Sequence, residues 1–187
     1  MNRDQILESA AQLIRRKGFH AASMQELADS VHLQKASLYH HFTSKQEILL
    51  ALLDQALVLL YDRVAEVCTS DLGAEEKLRK AMRVYLSSLA ENADLAAVLL
   101  LEHRSLNPEY HDRHIPRRDR FERLWRGLIH EGMQEGVLRQ VDPGMTARAL
   151  LVVMNWTLTW YKPDGEVSIG DISDTFSRLF LDGLRVR

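Results

Sequence analysis

Apolar and polar positions follow a helical period along almost the whole chain. Residues 4–17, DQILESAAQLIRRK, set Ile6, Leu7, Ala10, Ala11, Leu13 and Ile14 on one face, the spacing of an amphipathic helix. Gly18 follows as a stop. Ser23 and Glu26 have the S-x-x-E spacing of a capping box, in which each side chain takes the other's N–H. They open a second helix with Leu27, Ala28 and Val31 as its apolar face. Residues 32–34, HLQ, form a tight turn, and a short third helix covers 35–42. Ser44 and Glu47 repeat the capping box and predict a long helix to about residue 67, apolar around most of its circumference.

Past a linker at TSDLGAEE, the same period predicts helices over 74–91, 94–104, 117–135, 144–161 and 171–184. SLNPEY and HIPRR predict breaks at their prolines, because proline has no N–H to give a helix. Gly136 closes the helix before it. On the last helix, Ile172, Phe176, Leu179, Phe180 and Leu184 share one side.

The expected fold class is therefore all-α, with about nine helices. A boundary near residue 47 gives two expected domains: a compact three-helix head, 1–46, and a helical C-terminal body, 47–187. Four prolines and nine glycines are few, and a 46% hydrophobic share can fill a core. No uninterrupted apolar run reaches the length of a membrane span, and Cys68 is the only cysteine. These features lead to the expectation of a soluble, cytoplasmic protein with no membrane partner.

Net charge is −2, so only local charge can speak for a nucleic-acid partner. Residues 1–45 are weakly basic: Arg3, Arg15, Arg16, Lys17, Lys35 and Lys45 outnumber Asp4, Glu8, Glu26 and Asp29. Within that stretch, residues 24–42 have the proportions of a helix-turn-helix, whose second helix enters the DNA major groove. The groove-facing candidates are Gln34, Lys35, Ala36 and Ser37. Glutamine can pair with adenine, lysine can donate to guanine, and alanine can meet a thymine methyl. Leu38 and Phe42, four apart, should pack inward on the first two helices, and His41 is assigned to packing beside them.

The stretch LADSVHLQKASLYHHFTSKQEILLALL resembles the DNA-binding signature of the TetR family of bacterial repressors. ILESAAQLIRRKGFHAASMQELA continues the resemblance through the first helix, about 50 residues in all. One departure is His32, where that family usually has the turn glycine. The resemblance implies that Tyr39 and His40 face the DNA backbone, that Lys45 reaches a phosphate and that Ser23 lies near one. It further implies a homodimer built on the two C-terminal helices (about 144–161 and 171–184), a double-stranded palindromic operator and a small effector in the body.

The body offers weaker signals. Tyr61, Tyr85, Phe121, Trp125, Trp156 and Trp160 lie on its helices, and ordinary core or dimer packing is the first reading of each, ahead of a pocket wall. Asn155 sits in a very apolar helix and needs a polar partner. Seven arginines, Arg104, Arg113, Arg117, Arg118, Arg120, Arg123 and Arg126, are either a solvated face paired to Glu102, Asp119 and Glu122 or a phosphate-binding set. The segment NWTLTWYKPDGEVSIGDI is similar to a TetR subgroup that senses CoA thioesters. That similarity implies an acyl-CoA effector, with Tyr61, Phe121, Trp125, Asn155 and Trp156 around the acyl part and Arg104, Arg120 and Arg123 on the phosphates. The alternatives are a neutral hydrophobic or aromatic effector, or regulation without a ligand. His103, His111, His114 and His130 have neither a cysteine partner nor an H-E-x-x-H spacing, and there is no P-loop or nucleotide fingerprint. Neither a metal, a cofactor nor an enzyme activity is expected.

Overall fold

The computed structural model describes residues 2–186. The helices are α1 (Arg3–Lys17), α2 (Met24–Ser30), α3 (Lys35–His41), α4 (Lys45–Cys68), α5 (Ala74–Glu91), α6 (Ala93–Glu102), α7 (Pro108–Gln134), α8 (Pro143–Trp156) and α9 (Ile169–Leu184). Short 3-10 turns cover His103–Ser105 and Thr157–Thr159. Among the described residues, extended pairing is limited to an isolated bridge, Leu138–Arg185. No single helix among them is long and apolar enough to cross a membrane.

Two compact units divide the chain. The first comprises Met1–Val58 and Asn92–Arg118, the second Leu59–Glu91 and Asp119–Arg187. Helices α4 and α7 contribute to both.

In the first unit, Ile6, Leu7, Ala10, Leu13 and Ile14 of α1 are buried with Leu27, Ala28, Leu38, Phe42, Ile48 and Leu52. Helix α1 also packs on α6, where Arg15 pairs with Asp94 at 2.7 Å. The Gln46 carboxamide ties this corner to α4: it donates to the Ser105 carbonyl at 2.9 Å and accepts from the Asn107 N–H at 3.0 Å. Ser23 and Glu26 close the predicted capping box. The second box forms only in part. Ser44 accepts from the Glu47 N–H, but the Glu47 carboxylate turns to the Thr43 N–H and hydroxyl instead of the Ser44 N–H.

Helix α2 ends in a Schellman turn, with Leu33 N–H on the Ala28 carbonyl and His32 N–H on the Asp29 carbonyl. That turn needs a left-handed residue, and His32 supplies it at φ 55°.

The second unit buries Leu78, Met82, Tyr85 and Leu86 of α5 with Phe121, Trp125, Leu128 and Ile129 of α7 and Leu150 and Met154 of α8. Helix α9 lies on α5.

Three expectations are corrected. Pro116 does not break a helix: α7 starts at Pro108 and runs through it. The carbonyl that Pro116 leaves without its helical donor is that of Asp112, and both residues are exposed, so water can serve it. Helix α8 ends at Trp156, and Trp160 lies beyond it. There the Thr157 hydroxyl bonds the Met154 carbonyl and tightens the last turn. Lastly, the apolar side of α9 is buried along only one edge. Ile172, Leu181 and Leu184 turn inward with Ser173 and Ser177, while Leu179 is 68% exposed and Phe176 and Phe180 are partly exposed. The serines thin the inward face enough for close approach to α5, where Ser177 Oγ lies 3.7 Å from Met82 Sδ.

The strained turn predicts a stability order at position 32. His32→Val should cost about 1–2 kcal/mol, because a β-branched residue is excluded from that conformation. His32→Gly should match or exceed the parent in urea unfolding.

His114 gives a pH dependence. It is 3% exposed, and its Nδ1 has no hydrogen-bond partner among the described residues. Burial first, then the charges of His103, Arg118, His111 and Arg117, push its pKa down to about 4. The folded chain holds it neutral, whereas the unfolded chain protonates it near 6.5. Its contribution is therefore complete above about pH 6.5 and disappears as pH falls toward 4. Urea unfolding should lose about 2 kcal/mol from this source between pH 7 and pH 5. His114→Gln should flatten that limb of the profile.

Candidate nucleic-acid interface and effector site

The head fixes the orientation of α3 from inside. Leu38 and Phe42 are fully buried, and the Phe42 N–H bonds the Leu38 carbonyl at 3.0 Å. The guanidinium of Arg3 lies over the Phe42 ring, 4.7 Å from its centroid. With that face sealed, Gln34, Lys35, Ala36, Tyr39 and His40 are exposed and Ser37 is half-buried. Gln34 is the N-cap residue of α3 and makes no side-chain capping bond, so its carboxamide is not spent on the helix. His41 is also exposed and does not pack inward as expected. In a seven-residue helix whose inward row is taken by Leu38 and Phe42, position 41 falls on the solvent side.

Ser23 is exposed at the start of α2. Its hydroxyl oxygen accepts from the Glu26 N–H at 3.1 Å. The Glu26 carboxyl accepts from Lys17 and from the Ser23 N–H, which together hold its pKa down at about 2.

Lys45 is placed differently from the expectation that it reaches a phosphate. Its ammonium donates to the carbonyls of Phe19, Ala22 and His20 at 2.8, 2.7 and 3.3 Å. It also lies 4.4 Å from the centroid of the Phe19 ring. Partial burial pulls its pKa below the ordinary lysine value. The three protons of the ammonium are thus spent within the chain, on the loop that leads into α2. A short lysine–carbonyl network of this kind leaves no pattern in sequence, because carbonyls belong to every residue.

In the second unit, Tyr85, Phe121 and Trp125 form a closed aromatic cluster. Tyr85 stacks on Phe121 at 5.7 Å between centroids and meets Trp125 edge-on at 5.5 Å. The Tyr85 hydroxyl donates to Asn155 Oδ1 at 2.5 Å, which supplies the polar partner that Asn155 needed. Burial pushes the Tyr85 pKa well above its usual value. The Arg120 guanidinium stacks over the Tyr61 ring at 4.3 Å and lies 3.3 Å from its hydroxyl. The structure thus joins Tyr61 with Arg120, Phe121 with Trp125, and Asn155 with Tyr85. Tyr85 is the member that sequence reasoning left out of the site.

Trp156 does not join them. It is 66% exposed, on the outer row of α8 with Met145 and Val152. Arg123 is exposed. Arg104 is also exposed, but it belongs to the first unit. Part of the arginine run is paired within the protein: Arg117 with Asp54, and Arg126 with Glu122. A recess of about 410 Å³ lies elsewhere, at the start of α5, lined by Glu75, Glu76, Glu135 and Arg79 among others. Its carboxylates would repel an anionic ligand. Among the described residues, no three side chains are placed to hold a metal.

A family model described as bacterial regulatory proteins, tetR family, matches residues 6–52. A second, described as tetracyclin repressor-like, C-terminal domain, matches residues 71–184. The chain is similar to the TetR family transcriptional regulator PfmR from Thermus thermophilus, at 36% identity over 98% of this chain and 100% of that one, with a TM-score of 0.89. It is similar to AibR in complex with isovaleryl coenzyme A and operator DNA, at 29% identity over 95% of this chain and 96% of that one, with a TM-score of 0.88. It is also 25% identical over 184 residues to the HTH-type transcriptional repressor KstR2 of Rhodococcus jostii (strain RHA1), covering 97% of this chain and 90% of the relative.

The Lys45 network predicts that Lys45→Met lowers the stability of the head by about 1–3 kcal/mol, since three carbonyls lose a charged donor. Urea unfolding and amide exchange over residues 19–31 should both report it. Unchanged exchange with weaker, less salt-sensitive DNA binding would assign the ammonium to phosphate instead.

Proposed function

We propose that this chain, which belongs to the tetR family of bacterial regulatory proteins, is released from a palindromic operator by a CoA thioester. The family and its relatives are DNA-binding transcriptional regulators and not enzymes. The observation that carries the DNA-binding part is the face of α3. Gln34, Lys35, Ala36, Tyr39 and His40 are exposed together on a helix whose other face is sealed by Leu38 and Phe42. In this reading residues 1–46 are the DNA-binding domain and 47–187 the effector and dimer domain. Gln34, Lys35, Ala36 and Ser37 read base edges. Tyr39, His40 and Ser23 contact the backbone and set the register.

The dimer contact is assigned to the outer rows of α8 and α9. Met145, Val152, Trp156 and Leu179 are each more than half exposed there, apolar side chains that a lone chain would show to water. A two-fold dimer presents two α3 helices to successive major-groove turns, about 34–36 Å apart.

The effector part rests on two supports: the aromatic cluster bordered by Arg120 and Tyr61, and the likeness to AibR, whose structure holds isovaleryl coenzyme A. Arg120 and Arg123 lie on α7 near the cluster and supply positive charge for CoA phosphates. A neutral hydrophobic effector is the second reading, favoured by the internal pairing of Arg117 and Arg126.

Gel-shift assays on the chain's own upstream DNA test both parts. Tyr39→Ala should weaken all sequences alike, whereas Gln34→Ala should relax preference at one base pair, by about 1–3 kcal/mol. A C4–C16 acyl-CoA series should release the DNA. Release by a neutral aromatic alone would favour the second reading.

A further inference from the structure

Trp125 is fully buried, yet its indole Nε1–H has no hydrogen-bond acceptor among the described residues. An indole nitrogen can only donate, and a buried donor without an acceptor destabilises the state that contains it. The Tyr85 hydroxyl, which could accept, makes its bond to Asn155 and none to the indole. The rings that meet Trp125 are those of Tyr85 and Phe121.

Exposure along α7 gives this donor a direction. Trp125 is at 0% and Phe121, one turn earlier, at 6%. Arg120 is exposed and lies over Tyr61. Helix α7 thus carries a cation near solvent and, further along, a buried N–H donor set among apolar rings. An acyl-CoA carries groups of the same kinds: phosphates at its polar end, then the thioester carbonyl, which can accept, and beyond it an apolar acyl chain.

We infer that the indole N–H of Trp125 donates to the effector's thioester carbonyl and thereby makes the site selective for thioesters over ligands without that oxygen. The inference rests on the CoA-thioester reading above and adds to it the group that recognises the acyl linkage. The donor is unsatisfied in the closed cluster and satisfied in the occupied one, so its bond favours the occupied state by differential affinity.

The test compares octanoyl-CoA with S-octyl-CoA, a thioether that keeps the chain and the phosphates and lacks the carbonyl. Calorimetry on the full chain should show the thioester binding roughly tenfold tighter, the value of one hydrogen bond to a buried donor. Trp125→Phe should bind the two compounds equally. The indole ¹⁵N–¹H resonance of Trp125, assigned by its loss in Trp125→Phe, should move downfield with octanoyl-CoA and not with S-octyl-CoA. The resonance is read in the parent protein, so the test survives a variant that fails to fold. Equal affinities in the parent with an unmoved resonance overturn the inference and leave the CoA reading standing. No binding of either compound, nor of any other acyl-CoA in the series, overturns both.

Discussion

The head depends on one ammonium group. The loop from α1 to α2 turns three carbonyls, those of Phe19, His20 and Ala22, toward a common point. A single backbone N–H cannot serve three converging carbonyls, whereas an ammonium with three protons can, and Lys45 reaches them from the first turn of α4. The same ammonium rests on the face of the Phe19 ring, where the ring quadrupole adds attraction. This contact sets where Ser23 stands and so where α2 starts. The Schellman turn at His32 then fixes the angle at which α3 leaves. The setting of the exposed face of α3 is thus the last link in a chain of geometry that begins with the Lys45 ammonium.

Most of the helices were legible because their cause is local. Capping pairs, glycine stops and apolar spacing predicted α1 to α5 to within a residue or two. The failures come from causes that are not local. Pro116 reads as a break, yet a helix tolerates a lost bond where the orphaned carbonyl is exposed, and exposure depends on the fold. The end of α8 was misplaced because Thr157 closes it through a side-chain bond instead of a glycine. In the candidate site, the exposed face of α3 followed from the spacing of Leu38 and Phe42. Lys45 and Tyr85 did not, because carbonyl acceptors and aromatic neighbours are brought together only by the fold.

The arginine run illustrates how one sequence feature can divide into different roles. Arg117 and Arg126 neutralise Asp54 and Glu122, and Arg113 lies over the Tyr110 ring at 5.5 Å. Arg120 rests on an aromatic ring, with no ion pair to an acid among the described residues. A cation on a ring keeps most of its charge available, whereas one paired with a carboxylate does not. Counting arginines therefore overstates the positive charge that a ligand would meet.

The serines of α9 also limit how that helix can turn. Ser173 and Ser177 sit where α5 approaches, and Phe176 and Phe180 flank them, partly exposed. Rolling α9 by about a quarter of a revolution would drive those rings into space shaped for two hydroxymethyl groups, which a close-packed interior does not yield. The helix is keyed into a single rotational setting by its smallest side chains. The cost of that setting falls at the edge of the helix, where Leu179 stands in solvent and two rings are only partly covered.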